Sequence, residues 1–430
     1  MFESISADQI KYIFENTDDA VCVVSSSGVL VEANPSAEKL FGITADNSIK
    51  IWDAIPYVAG NDDLIQLFID AVTQKLTSQE AIVDYVSNDG KVFNLHVRPT
   101  FYKGDVSLYL IVITDLTKLI RVESAFARYT SPDIADYVLT TSEGQKRGGL
   151  TQNVSIIMSD LRGFTALATT MSAQRLIELL NHYFEKMVTV IEKYHGTVIE
   201  FLGDGIFIVF GAPKELPDHA DLAVRCAVEM QNAMASVNEW NRKNGYPELE
   251  MGIGVNSGDV VVGNIGSDKK MKYGCMGSPV NTTGRLEALT IGGQVLISEN
   301  TKVLLSEEIT YSSAGAFLPK GSADELGYYE LTGIGSLSLD LGREEITWTD
   351  TDQECSFFML MEKTVTEDEY KGKILKISSD KRFAVMSSDI VIKDRSNILI
   401  IKDGERKYAK VTGRDEGGYL ICFTSVTQET

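Results

Sequence analysis

Two aspartates, Asp160 and Asp204, are spaced so that they could share a divalent cation. Asp160 ends the apolar run Ser155-Ile156-Ile157-Met158-Ser159 and opens into Leu161-Arg162-Gly163-Phe164-Thr165, whereas Asp204 occupies a tight Gly203-Asp204-Gly205 turn between two apolar segments. Mg2+ is a hard cation that takes few protein carboxylates and fills its other positions with water and phosphate oxygens. A pair of strand-end carboxylates is therefore the minimum equipment for metal-assisted phosphoryl chemistry. Taken singly, Asp160 reads as a helix N-cap and Asp204 as a hairpin turn residue. Asn281 and Arg285 supply a complement. They stand four residues apart just after Pro279, so a helix starting there places both on one face. An Arg fork donates two parallel, charge-assisted hydrogen bonds to phosphate oxygens. The alternative is a surface helix with Arg285 paired to Glu287 or Glu178.

Residues 150–335 must position these groups, and their pattern reads strand, helix, two strands, helix, two strands. A helix over about 172–194 aligns Leu176, Leu179, Leu180, Tyr183, Met187 and Ile191 on one face, with Gly196 as a left-handed cap. Residues 197–201 and 206–210 form a hairpin around Asp204. A second helix, about 218–240, aligns Leu222, Cys226, Met230, Met234 and Val237; residues 251–256 and 259–263 then form a hairpin closed at Ser257-Gly258. This order predicts an α+β, ferredoxin-like sheet with helices on one face.

A chain of 430 residues suggests three units at about 150 residues each. Residues 1–117 read as a small α+β domain: strands at 21–24 and 29–34, Pro35 at a helix start, helical pieces near 62–76, a hairpin turned at Asn88-Asp89-Gly90, and a strand at 108–114. His96 is either a metal ligand or a strand histidine, and its alternation with Phe93, Leu95 and Val97 favours the strand. Residues 118–149 read as a helical linker. There Leu119, Val122, Phe126 and Tyr129 make either a short coiled-coil seam or a face packed on the first domain, and the Gly-rich stretch 142–149 marks a boundary. Residues 336–430 carry short strands with turns at Asp403-Gly404 and Glu416-Gly417-Gly418, a pattern that predicts a small β-barrel.

The composition narrows the partners. A net charge of -21 disfavours nucleic acid and anionic membrane surfaces, because both reward a positive footprint. No apolar run approaches the roughly 18 residues that span a bilayer, and the N-terminus lacks a secretory pattern, so a cytoplasmic location is expected. Five scattered cysteines, Cys22, Cys226, Cys275, Cys355 and Cys422, form neither a disulfide framework nor a zinc spacing.

Residues 8–117 resemble a PAS sensor domain through Gly28-Val29-Leu30-Val31-Glu32-Ala33-Asn34-Pro35, Leu40-Phe41-Gly42 and Ile113-Thr114-Asp115-Leu116-Thr117. The resemblance leaves open whether this unit holds haem, flavin, another small ligand or none. The C-terminal segment resembles a degenerate PilZ domain through Ile377-Ser378-Ser379-Asp380, without a preceding Arg-x-x-x-Arg. Residues 150–335 resemble the class III nucleotidyl cyclase catalytic domain. The motifs are Asp160-Leu161-Arg162-Gly163-Phe164-Thr165, Phe201-Leu202-Gly203-Asp204, Val280-Asn281-x-x-x-Arg285, and Pro319-Lys320-Gly321 before Tyr329-Glu330-Leu331. The resemblance implies two Mg2+ or Mn2+ ions per site on Asp160, Leu161 and Asp204, and transition-state stabilisation by Asn281 and Arg285. It also implies triphosphate contact by Lys320, further substrate contacts by Phe164 and Thr165, and a homodimer with its active sites at the interface. Glu200 and Gly274 match the two purine-reading positions. A carboxylate at 200 accepts the N1-H and exocyclic amino group of guanine, so GTP is the expected substrate and cyclic GMP the product. Gly274 offers only its backbone, and alternation turns Cys275 the other way. The alternatives are an adenylate cyclase with an atypical purine pocket and a catalytically silent nucleotide-binding regulator.

Overall fold

Alternating apolar residues build the first sheet. In this computed structural model, which describes residues 6–41, 49–54, 81–86, 91–102, 105–319, 324–340, 347–361, 364–415 and 417–424, the chain divides into two compact units, Met1–Tyr129 and Thr130–Thr430. The first unit runs α1 (Ala7–Glu15), β1 (Ala20–Ser25), β2 (Leu30–Ala33), α2 (Pro35–Phe41), α3 (Ile51–Ala54), β3 (Ala81–Val86), β4 (Val92–Tyr102), β5 (Asp105–Asp115) and α4 (Thr117–Tyr129). Its strands make an antiparallel sheet in the order β2-β1-β5-β4-β3. On β4, Phe93 and Val97 are buried while His96 lies half-buried on the other face. Leu119, Val122 and Tyr129 of α4 are exposed rather than packed on their own unit. The helical pieces expected near 62–76 and the turn expected at 88–90 lie outside the described residues.

The second unit opens with α5 (Pro132–Thr140), then β6 (Gly148–Leu161), α6 (Phe164–Thr170), α7 (Ala173–Lys193), β7 (Thr197–Leu202), β8 (Gly205–Phe210), α8 (His219–Lys243), β9 (Met251–Ser267), β10 (Lys270–Met276), α9 (Ser278–Ala288), β11 (Val295–Ser298), α10 (Glu299–Lys302), β12 (Ile309–Phe317), β13 (Leu326–Ile334) and β14 (Leu337–Ser338). Among the described residues these strands form one sheet, ordered β12-β13-β11-β9-β6-β8-β7, with β10 on β9 and β14 on β13. The stretch β9-β6-β8-β7 is antiparallel and has the ferredoxin-like order. Helices α7 and α8 cover one face, where Leu179, Tyr183, Met187, Cys226 and Met230 pack on Ile157, Ile208, Phe210 and Val255. On the other face Ile134 of α5 joins Val154, Ile156, Val260 and Val262, and Tyr137 meets Tyr273 edge-on at 5.7 Å. The stretch 142–149 is anchored to the second unit: the buried Asn264 amide donates to the carbonyls of Gly144 (2.5 Å) and Lys146 (3.1 Å), and the two compact units meet in sequence at Tyr129/Thr130. Among the described residues no helix is long and apolar enough to cross a membrane.

Two glycines expected to make turns serve close packing instead. The left-handed residue after α7 is His195 (φ 59°), whereas a Cβ on Gly196 would sit 2.7 Å from the Phe210 ring. Likewise β9 runs unbroken through Ser257-Gly258, because Met251 to Asn264 all pair with β6. Gly258 is small so that Pro279 can lie on it, since a Cβ at 258 would stand 2.8 Å from the Pro279 ring, and the actual hairpin turn falls between Ser267 and Lys270.

The last strands, β15 (Trp348–Met361), β16 (Thr364–Ser378), β17 (Phe383–Ser388), β18 (Asn397–Lys402), β19 (Glu405–Asp415) and β20 (Gly418–Phe423), close a barrel in the order β15-β16-β17-β20-β19-β18. Inward residues Ile398, Ile400, Ala409, Val411 and Ile421 fill it. Asp403 and Gly404 both take positive φ, as a two-residue hairpin turn requires. The Ser378 hydroxyl donates to Asp380 (2.6 Å) and accepts from the Phe383 amide (2.8 Å), so this motif is used within its own turn.

Helix α9 reaches the sheet over Gly254, where a Cβ would stand 2.5 Å from the Glu287 backbone nitrogen. Gly254→Ala should therefore destabilise the second unit by about 1–3 kcal/mol, as overpacking does. Denaturant unfolding followed by far-UV circular dichroism measures this.

Candidate active site

Strand pairing brings the two aspartates together. Ser159 pairs with Ile206, so Asp160, one residue on, lies beside the turn that carries Asp204. Gly203 takes φ 71° to make that turn, and a Cβ on Gly205 would stand 2.6 Å from the Ser159 carbonyl and 3.5 Å from Asp160 Oδ1. Burial, and then the charge of Asp160, push the Asp204 carboxyl up to about 6, although the Leu161 amide donates to it and Arg162 is near. Arg162 Nη1 is 3.8 Å from Asp160 Oδ2. The donors here are all oxygen, and their mutual repulsion is what a divalent cation would relieve, so the pair suits Mg2+ or Mn2+. Among the described residues no group of three or more His, Cys, Asp or Glu side chains could hold a metal. Backbone oxygen, water and a phosphate ligand would have to complete any coordination shell.

Arg162 extends the site inward. Gly252 faces Asp160 across β6 and β9, and a Cβ there would collide with the Thr290 hydroxyl and the Arg162 guanidinium. The bare strand lets Arg162, only 12% exposed, ion-pair with Glu287 and donate to Thr290 Oγ1 at 3.0 Å. Burial nonetheless raises the Glu287 carboxyl above its ordinary range, Arg162 opposing the shift. Sequence reasoning missed Glu287 and Thr290 as supports of this loop. The available signal was Gly252-Ile253-Gly254, two glycines on one face of a strand.

Helix α9 holds Asn281 and Arg285 at adjacent turns. Its start is fixed by the buried Asn256, whose amide donates to the Pro279 carbonyl (3.1 Å) and whose Oδ1 accepts from Ser298 (2.7 Å). Asn281 is exposed and Arg285 half-buried, and Arg285 has no ion pair among the described residues. Glu287 is bound to Arg162, and Glu178 accepts from the Tyr246 hydroxyl at 2.7 Å. At about 100° per residue, Arg285 projects roughly 160° from Glu287. The pair therefore faces away from the Asp160 loop of its own chain.

Glu200 follows a bulge in β7 that turns Ile199 into the core and leaves Glu200 exposed. Its Oε2 lies 2.5 Å from Lys272 Nζ of β10, a partner that no local pattern indicated. Gly274 pairs with Gly263, and a Cβ on it would meet only Ile265 Cδ1, at 3.1 Å. Cys275 is buried, which pushes its thiol up to about 12. The Phe164 ring and the Leu161 side chain lie in the core, while Thr165 is exposed at the start of α6. Lys320 lies outside the described residues.

Residues 149–333 match the adenylate and guanylate cyclase catalytic domain family, and residues 18–118 match the PAS domain family. The chain thus carries a class III nucleotidyl cyclase catalytic domain preceded by a PAS domain. Adenylate cyclase 1 of Rhizobium meliloti (strain 1021) is 28% identical over 211 residues, covering 49% of this chain and 32% of that protein. The chain spans about a third of the length of the curated relatives it matches. Among solved structures, the guanylyl cyclase Cya2 is 43% identical over 45% of this chain and 100% of its own, with a TM-score of 0.44. The adenylyl cyclase CyaB from P. aeruginosa is 32% identical over 42% of this chain and 95% of its own, with a TM-score of 0.40.

A carboxyl whose folded pKa is raised favours folding most when protonated, below its ordinary 3.8, and loses that contribution as pH rises through about 6. In EDTA, Asp204→Asn should therefore be more stable than the parent at pH 7, by on the order of 1 kcal/mol once solvent screening at this half-buried site is allowed for. The advantage should vanish below pH 4, and Mn2+ should raise the melting temperature of the parent more than that of the variant. Thermal denaturation across pH checks all three.

Proposed function

We propose that this chain is a guanylate cyclase, converting GTP to cyclic GMP and pyrophosphate as a homodimer with two equivalent sites. The observation that carries the reading is the convergence of Asp160 and Asp204 at one turn, within a fold whose α9 presents Asn281 and Arg285 outward. In this reaction the ribose 3′-oxygen attacks the α-phosphorus, and the bond to the β-phosphate oxygen breaks. Two divalent cations held by Asp160, Asp204 and the Leu161 carbonyl would supply Lewis-acid activation of the hydroxyl and neutralise triphosphate charge. Arg285 donates its fork to phosphate oxygens as charge develops, and Asn281 stabilises the transition state with it. Lys320, with the backbones of Phe164 and Thr165, contacts the triphosphate. Asn281 and Arg285 point away from their own aspartates, so a second copy must bring them to the site. The exposed apolar side chains Phe201, Leu202, Val261, Met271 and Met276 support such an interface. The PAS unit and α4 would then bias the population of competent dimers.

Glu200 carries the preference for guanine, accepting the N1-H and the exocyclic amino group on its two oxygens while Lys272 also donates to Oε2. Lys272 also favours a second reading. Its ammonium could donate to the unprotonated N1 of adenine, which would make the chain an adenylate cyclase.

With Mg2+ or Mn2+, kcat/KM for GTP should exceed that for ATP by at least about tenfold, and Glu200→Gln should remove most of the difference. A parent preference for ATP that disappears in Lys272→Ala would establish the second reading. Asp204→Ala and Arg285→Ala should each be inactive, yet co-expressed they should recover about a quarter of parental activity, because half the dimers are mixed and each holds one intact site. No recovery would exclude a shared site.

A further inference from the structure

The barrel is seated on the segment that follows α9. Phe383 and Cys422 of the barrel bury Ile291, with Leu420 packed against them. Three barrel cations surround this apolar contact. Lys410 Nζ donates to the Ala288 carbonyl and, at 3.0 Å, to that of Thr290. Arg395 donates to the Leu289 carbonyl (3.4 Å) and Gln294 Oε1 (3.3 Å), and Arg382 ion-pairs with Glu250 at 2.5 Å and reaches the Gly292 carbonyl at 3.5 Å. The last carbonyls of a helix have no intrahelical partner and carry its negative dipole end, so cations placed here hold the helix terminus.

Lys410 is the unusual member. It is 2% exposed, and burying an ammonium is costly where an apolar side chain of similar size would fill the space. Burial, with Arg162 and Arg395 nearby and Glu287 opposing, brings it down to about 7. Its second acceptor links it to the site: the Thr290 hydroxyl accepts from Arg162, and Arg162 stands beside Asp160.

We propose that the C-terminal barrel is a clamp on the helix that carries Asn281 and Arg285. Lys410 is its positioning residue, acting on α9 through the carbonyls of Ala288 and Thr290 and on the Asp160 loop through Thr290 and Arg162. The inference rests on the cyclase reading for its effect on turnover, but the clamp itself is a mechanical claim. Without Lys410 the last turn of α9 loses its tether, and Arg285 is held less firmly against the reacting phosphate.

In the full chain, Lys410→Met should lower kcat by about 10-fold with KM for the nucleotide changed less than about twofold, because misplacement of a transition-state group acts on the chemical step. Lys410→Arg should restore most of kcat. Hydrogen exchange at the amides of 286–291 should quicken in Lys410→Met, while exchange in the barrel strand Asn397–Lys402 stays as in the parent. Parental kcat together with parental exchange at 286–291 would overturn the clamp. If the barrel strand also exchanges faster, Arg395→Gln, at a half-buried position, becomes the deciding variant. It should lower kcat and loosen 286–291, and no change in either would overturn the proposal. A parent chain inactive on both GTP and ATP would defeat the cyclase reading instead, and the exchange result would then decide the clamp alone.

Discussion

A single guanidinium joins the parts of the catalytic unit. Arg162 leaves the loop after β6, crosses the bare backbone of Gly252, and ends between Asp160, Glu287 and Thr290. The loop bearing one carboxylate of the site is thereby coupled to the end of the helix bearing Asn281 and Arg285. Buried charge is tolerable only where it is paired. Here Asp160, Arg162 and Glu287 alternate in sign, and Lys410 follows beyond them. Removing Arg162 would leave the Glu287 carboxylate without its partner in a poorly solvated place, so this pair resists gradual drift.

Close approach of backbone to backbone makes this possible. Gly252, Gly254 and Gly258 lie on one face of β9, and above them sit the Arg162 side chain, the Glu287 backbone and the Pro279 ring. The helix is set against the sheet at a distance no side chain would allow. The Asp204 turn uses its glycines similarly, with Gly203 in a left-handed conformation and Gly205 passing close to the Ser159 carbonyl. Burial, and then the nearby Asp160 carboxylate, raise the proton affinity of Asp204. A site so arranged is electrostatically incomplete in a way a divalent cation would correct.

Much of the fold was legible because local rules and tertiary packing agree. The apolar stripe of α7 names the residues that enter the core, Asp403-Gly404 makes the hairpin its dipeptide announces, and Pro35 opens its helix. Reading failed where a glycine had two uses. Gly196 and Gly258 look like cap and turn, yet both are small because another element lies on them. A one-dimensional pattern cannot distinguish freedom of φ from absence of a Cβ. The anchor of the Gly-rich stretch at 142–149 is equally hidden from a local pattern, since Asn264 is remote in the chain.

The types and spacings of Asp160, Asp204, Asn281 and Arg285 were set by the sequence alone, because each belongs to a short segment whose conformation follows from its own residues. The partners of those segments were decided only by the tertiary structure. Lys272 meets Glu200, Arg162 meets Glu287, and the barrel meets the end of α9 through contacts between residues far apart in the chain. Local propensity acts over a few residues, whereas pairing of buried charge depends on which surfaces the folded sheet brings face to face.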